Sequence, residues 1–144
     1  MTELSEQTMA TVEATAPILR DRGLEITTHF YDRLLRTHPE VVPMFEDARA
    51  VQAERLATAV LAYASNIRNL DVLGAAVETI AKRHVGAGVR PEHYPIVGEH
   101  LLASMVEVLG ELDSSILDAW SDAYNYLADI LIAAEGALAA EATK

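Results

Sequence analysis

The chain of 144 residues is long enough for one domain and too short for two independent cores, so a separate second catalytic domain is not expected. Hydrophobic residues make up 51% and charged ones 23%, a globular composition that can bury a core without staples. With 22 acidic against 11 basic residues the net charge is −11, which repels DNA, RNA and anionic membrane faces; the absence of cysteine excludes disulfides, thiolate catalysis and thioether-linked cofactors, and leaves histidine and carboxylates as the main metal donors. The amino terminus, MTELSEQTMA, carries Glu3 and lacks the apolar core of a secretory leader. Uncharged stretches such as Leu56 to Ile67 fall well short of the roughly 20 residues a membrane span needs. A soluble, cytoplasmic protein without stable membrane insertion is expected.

Few glycines and prolines, 7 and 5, abundant alanine and no sustained apolar–polar alternation predict an all-α chain. A first helix covers about Ser5 to Arg22, kinked at Pro17, and Gly23 separates it from a second, about Leu24 to Arg36. Thr37-His38-Pro39-Glu40 has the form of a capping box and opens a short turn toward Phe45. A fourth helix runs from near Ala48 to Ile67. Asp71 caps a fifth, which Gly86 and Gly88 stop near His84. Arg90-Pro91-Glu92 starts the sixth and Gly110 ends it; Asp113, Ser114 and Ser115 offer N-caps for a last helix of about 28 residues, roughly 42 Å long.

Helical spacing then picks out polar side chains on apolar faces, where burial is costly unless the group is paired or functional. In the fifth helix Leu73, Val77, Ile80, Ala81 and His84 form one stripe. His84 is there either a core histidine bonded to a terminal carbonyl or an axial metal ligand, since neutral imidazole is a common donor to iron. In the last helix Leu117, Trp120, Tyr124, Leu127, Leu131 and Glu135 step by three and four. The carboxylate either frays to solvent or is buried, and then needs a donor such as an imidazole N–H or a phenol.

On the sixth helix Tyr94, Val97, Leu101, Met105, Val108 and Leu109 face inward, and on the second Leu24, Thr28, Tyr31 and Leu35. Gln52 and Leu56 share a face of the fourth, where Gln52 alone reads as a surface amide. His29, His38, His93 and His100 are expected to be exposed. No Glu-x-x-His pair, phosphate loop, dinucleotide fingerprint or nucleophile elbow occurs.

The segments FYDRL, THPEVVPMF, AYASNI, AKRHVGAGV, EHYPIVGEHLL and LDAWSDAYNYLAD, followed by Glu135, resemble in order and spacing the single-domain bacterial haemoglobins of the Vitreoscilla type, themselves similar to the globin domain of flavohaemoglobins. The resemblance covers nearly the whole chain, residues 1–144 as a single globin domain. It implies a globin fold of about seven helices around non-covalent haem b. His84 would be the proximal iron ligand, Phe45 the ring packed on the haem, and Tyr31, Gln52 and Leu56 the distal pocket, with Arg83, Val97 and Tyr124 close to the cofactor. It further implies a network of Tyr94 and Glu135 on the proximal histidine. Two features depart from the family: Arg83 stands where it has lysine, and the connector from Phe45 to Gln52 is short.

The implied function is reversible O2 binding at ferrous haem, with NO and CO as further ligands. NO dioxygenation or peroxidase-like turnover would draw on an external reductase. No flavin or nicotinamide domain is expected beyond Lys144, and electrons are expected from a separate NAD(P)H-dependent flavin reductase. Tyr31 would donate to bound oxygen, and Glu135 would lend the His84 ring imidazolate character. The rival readings are a gas or redox sensor globin without turnover and a cofactor-free helical interaction module; a homodimer is also expected from the resemblance.

Overall fold

The computed structural model describes residues 4–44 and 49–142. In chain order they form α1 (Glu6–Thr37), a 3-10 turn (Pro39–Met44), α2 (Arg49–Ser65), a second 3-10 turn (Leu70–Leu73), α3 (Gly74–Ala87), α4 (His93–Leu109) and α5 (Ser114–Ala142). No strand occurs among the described residues, and no described helix is long and apolar enough to cross a membrane. The long α1 packs on α2, α4 and α5, whereas α3 packs on α5.

Local chemistry sets most of the boundaries. Ser5 caps α1 by accepting the Thr8 N–H at 3.1 Å. Gly110, in a positive-φ conformation, closes α4, and the Asp113 carbonyl accepts the first N–H groups of α5. Gly88, at φ 83°, ends α3, with the Val89 N–H returning to the His84 carbonyl at 2.9 Å.

Several boundaries differ from those the sequence predicts. The first two predicted helices are one, because Gly23 does not end a helix: it is buried within α1, where a Cβ would meet the Ala57 Cβ at 3.7 Å. Its small size serves a close helix crossing, and packing outweighs its low propensity. Pro17 lies inside the same helix. The capping box does not form: Thr37 ends α1 with its hydroxyl on the Arg33 carbonyl, and Glu40 bonds the His38 ring at 2.9 Å. Asp71 belongs to the second 3-10 turn and its carbonyl receives Gly74. Gly86 stays helical, so α3 runs past His84. Phe45 and the expected helix start at Ala48 lie outside the described residues.

The buried face of α1 also turns by about one position from the expected stripe. Gly23, Ile26, Thr27, Phe30, Tyr31 and Leu34 are buried, while Leu24 and Thr28 are exposed. The core divides into three clusters. Val12, Ile26, Tyr63, Met105 and Trp120 anchor the largest, between α1, α2, α4 and α5. Phe30, Tyr31, Leu34, Val41 and Ala53 form the second, with Leu56, Ile96 and Val97 packed on it. Tyr94, Ala128 and Leu131 form the third, with Val77, Ile80, Val89 and Tyr124.

Of the four histidines expected at the surface, His29, His38 and His93 are partly covered and His100 is buried. His100 lies on the α4 face that meets the end of α1, its ring edge-on to His38 at a centroid distance of 5.5 Å. Spacing within α4 puts it beside the apolar stripe; the segment at the end of α1 covers it.

Candidate functional site

Three polar side chains from three helices meet where the third cluster begins. His84 comes from the last turn of α3, Tyr94 from the first turn of α4 and Glu135 from near the end of α5. The Tyr94 hydroxyl donates to Glu135 Oε2 at 2.6 Å. His84 Nδ1 lies 2.8 Å from the same Oε2 and 3.0 Å from the Tyr94 oxygen. Glu135 is therefore buried, at 7% exposure, with donors on it, and does not fray.

The partners settle the proton inventory. A carboxylate only accepts, and the phenol spends its proton on that carboxylate, so His84 Nδ1 must be the N–H donor. In the neutral ring the lone pair is then on Nε2, the nitrogen that can hold a metal. The ring makes no bond to a helix-terminal carbonyl of the kind a core histidine would; among the described residues its partners all meet Nδ1. Burial and the Glu135 carboxylate both raise the Tyr94 phenol above its usual range, which keeps it protonated and donating.

The triangle is held from behind. Tyr124 donates its hydroxyl to the Tyr94 carbonyl at 2.8 Å, tying α5 to the first turn of α4. Its ring lies against Gly98, where a Cβ would come within 2.7 Å of Tyr124 Cε2. Gly98 therefore admits the ring that steadies Tyr94. It escaped the reading of the sequence, although an isolated glycine within an apolar helix is the signal for such a contact.

The second cluster carries Tyr31, Leu56 and Val97 of the other predicted residues. Tyr31 is 7% exposed, and burial pushes its phenol up to about 12 against the opposing pull of Arg55. Leu56 and Val97, both half-buried, pack on the cluster that contains Tyr31. Gln52 is half-buried on α2 beside Ala53, which has no exposed surface. Arg83 is exposed, next to His84 in sequence and on a different face of α3. Thr27, which sequence reasoning passed over, is buried and donates its hydroxyl to the Ala53 carbonyl across the α1–α2 crossing.

The architecture is thus an all-helical fold that presents an imidazole braced by a carboxylate and a phenol on one side, and a buried phenol in an apolar cluster on another. The sequence pattern of the family described as Globin matches residues 28–131, and the chain belongs to that family. It is 49% identical over 139 residues to the flavohemoprotein of Rhizobium meliloti (strain 1021), covering 94% of this chain and 34% of that protein. It is also 49% identical over 143 residues to the flavohemoprotein of Bordetella pertussis, covering 96% of this chain and 36% of that one. The chain spans about a third of the length of these relatives.

Among solved structures, a bacterial globin from Campylobacter jejuni superposes with a TM-score of 0.87 at 36% identity, over 93% of this chain and 98% of that one. An engineered carbene transferase derived from a provisionally assigned nitric oxide dioxygenase of Rhodothermus marinus reaches a TM-score of 0.94 at 37% identity, over 98% and 99%. A flavohemoglobin of Malassezia yamatoensis, with FAD and heme bound, reaches 0.88 at 26% identity over 96% of this chain and 38% of that one.

Proposed function

We propose that this globin binds non-covalent haem b, which His84 Nε2 would hold, and that the bound haem would take up diatomic gases, O2 foremost. The carrying observation is the His84, Tyr94 and Glu135 triangle, which commits Nδ1 to donation and leaves Nε2 as a lone-pair donor. A single imidazole suffices where a porphyrin supplies the other four donors to iron. Apolar side chains left partly exposed, Leu56, Ile96 and Val97 on the second cluster and Val77, Ile80 and Val89 on the third, would suit contact with a flat apolar group. The ferrous cofactor, when bound, supplies the site for O2 and the redox chemistry of its turnover.

The residues divide the work. Tyr31, neutral at working pH, donates a hydrogen bond to a partly negative diatomic ligand and slows its escape. Gln52 and Leu56 bound that pocket from α2, Val97 from α4. Glu135 draws on the Nδ1 proton and strengthens the His84 donor, a tuning suited to O–O activation more than to storage. NO dioxygenation to nitrate, with electrons from a separate NAD(P)H-dependent flavin reductase in the cytoplasm, is the turnover these features favour. The flavohemoprotein relatives support that reading.

The test is the visible spectrum of the purified chain supplied with hemin, as oxidised, reduced and CO-bound forms. A Soret band that His84→Ala alters or abolishes is expected; a colourless wild-type protein, or an unchanged spectrum in the variant, refutes haem ligation at His84. NADH-dependent NO consumption with an added reductase then separates turnover from a sensor that binds gas alone.

A further inference from the structure

Tyr31 and the pair Gln52 and Leu56 stand on different helices, so the shape of the gas pocket proposed between them depends on how α2 sits on α1. The crossing is built from small residues. On α1, Gly23 and Thr27 are one turn apart, and Tyr31 follows one turn later. On α2, Ala53 and Ala57 are one turn apart, with Gln52 before Ala53 and Leu56 three residues after it. Gly23 faces Ala57 and Thr27 faces Ala53, so the two ridges run in opposite directions.

Such a contact brings the helices close but offers little side-chain relief against sliding. The bond across it is polar: Thr27 Oγ1 donates to the Ala53 carbonyl at 2.7 Å, with Thr27 2% exposed and Ala53 fully covered. The carbonyl of Leu24, in its own helix, lies at 3.3 Å and is the alternative acceptor. A hydroxyl has one proton, and the shorter contact shows it shared across the crossing more than within α1. A slide of one residue is about 1.5 Å of helix rise, several times the tolerance of a hydrogen bond.

We infer that Thr27 is a positioning residue: its bond to the Ala53 carbonyl sets the register of α2 on α1, and with it the spacing across the gas pocket between Tyr31 and the Gln52 and Leu56 pair. The inference rests on the functional reading above for its effect on ligand, though not for the register itself. Without the bond, α2 shifts along α1, and the Tyr31 hydroxyl meets the diatomic ligand at a poorer distance and angle.

Thr27→Val keeps the shape and deletes the donor, whereas Thr27→Ser keeps the donor. In the haem-loaded ferrous protein, Thr27→Val should raise the O2 dissociation rate several-fold and move the C–O stretching band of the CO form toward its position in Tyr31→Phe; Thr27→Ser should restore both. An unchanged rate and band in Thr27→Val overturns the inference whatever its thermal stability, as does a serine variant that behaves like valine.

The cysteine-free chain also accepts spin labels at the exposed positions 21 and 58, introduced as Asp21→Cys and Thr58→Cys. The inter-label distance should shift or broaden in Thr27→Val and return in Thr27→Ser, and an unmoved distance overturns the inference even in protein without haem. Failure of the wild-type chain to take up hemin would defeat the functional reading alone, because the label distance still decides the register.

Discussion

Replacing Glu135 by Gln removes one negative charge from the triangle and leaves its shape nearly intact. Oε2 of Glu135 receives two hydrogen bonds, from Tyr94 at 2.6 Å and from His84 at 2.8 Å. A hydrogen bond to a charged group contributes about 1.5–3 kcal/mol and one between neutral groups about 0.5–1.5 kcal/mol. Converting both bonds from charged to neutral therefore costs about 2 kcal/mol, with the His84 share reduced because its side chain is 32% exposed. For a chain of this size that corresponds to a fall in Tm of about 6 °C.

The assay is thermal or urea unfolding of the haem-loaded protein, run as a double-mutant cycle with Tyr94→Phe. Both substitutions affect the same Tyr94 to Glu135 bond, so their costs should be non-additive by about 1 kcal/mol or more. Resonance Raman of the ferrous form supplies an independent readout: Glu135→Gln should lower the iron–histidine stretching frequency, because the Nδ1 proton is held less strongly. Strictly additive costs, together with an unmoved stretch, would refute the claim that the three groups act as a unit on the imidazole.

Tyr31→Phe should raise the O2 dissociation rate measured by stopped flow, and an unchanged rate removes the phenol from ligand retention. Gly98→Ala forces a Cβ to 2.7 Å from the Tyr124 ring and should destabilise by about 1–3 kcal/mol, whereas Gly136→Ala, with open space around it in α5, should stabilise by about 0.5–1 kcal/mol in the same denaturation series. Burial, with Arg33 and His38 nearby, holds the His100 imidazole below its ordinary value of 6.5. As pH falls through 6.5 the unfolded chain binds a proton that the folded one refuses, so stability drops until the lowered native value is passed. His100→Gln should flatten that acid slope in unfolding curves taken across the range below pH 7, and an identical slope would show that His100 is not responsible.

The amino-acid sequence was informative wherever the relevant geometry is local. Alanine-rich, glycine-poor segments specify helices, and spacings of three and four assign each side chain an angle about its own axis. That is why His84, Tyr94 and Glu135 could be placed on inward faces one helix at a time. It is also why His84 and Glu135 each keep two readings: an angle says which way a side chain faces and nothing about what stands opposite. The motif resemblance joins the three residues, and it implies that Tyr31, Gln52 and Leu56 share a distal pocket.

Tertiary structure decided the rest, because the deciding contacts link residues far apart in the chain. Glu135 meets His84 and Tyr94 across 51 and 41 positions, and those meetings give the imidazole its tautomer. Gly23 has the form of a helix stop and instead stays helical, since the close approach of Ala57 rewards the missing side chain. His100 has a flank position in α4 and becomes buried only when the end of α1 covers it. Thr27 looks like any helical threonine until α2 brings a carbonyl within 2.7 Å of its hydroxyl. Periodicity describes a helix relative to itself, whereas burial, hydrogen-bond partners and protonation depend on the neighbour that packing supplies.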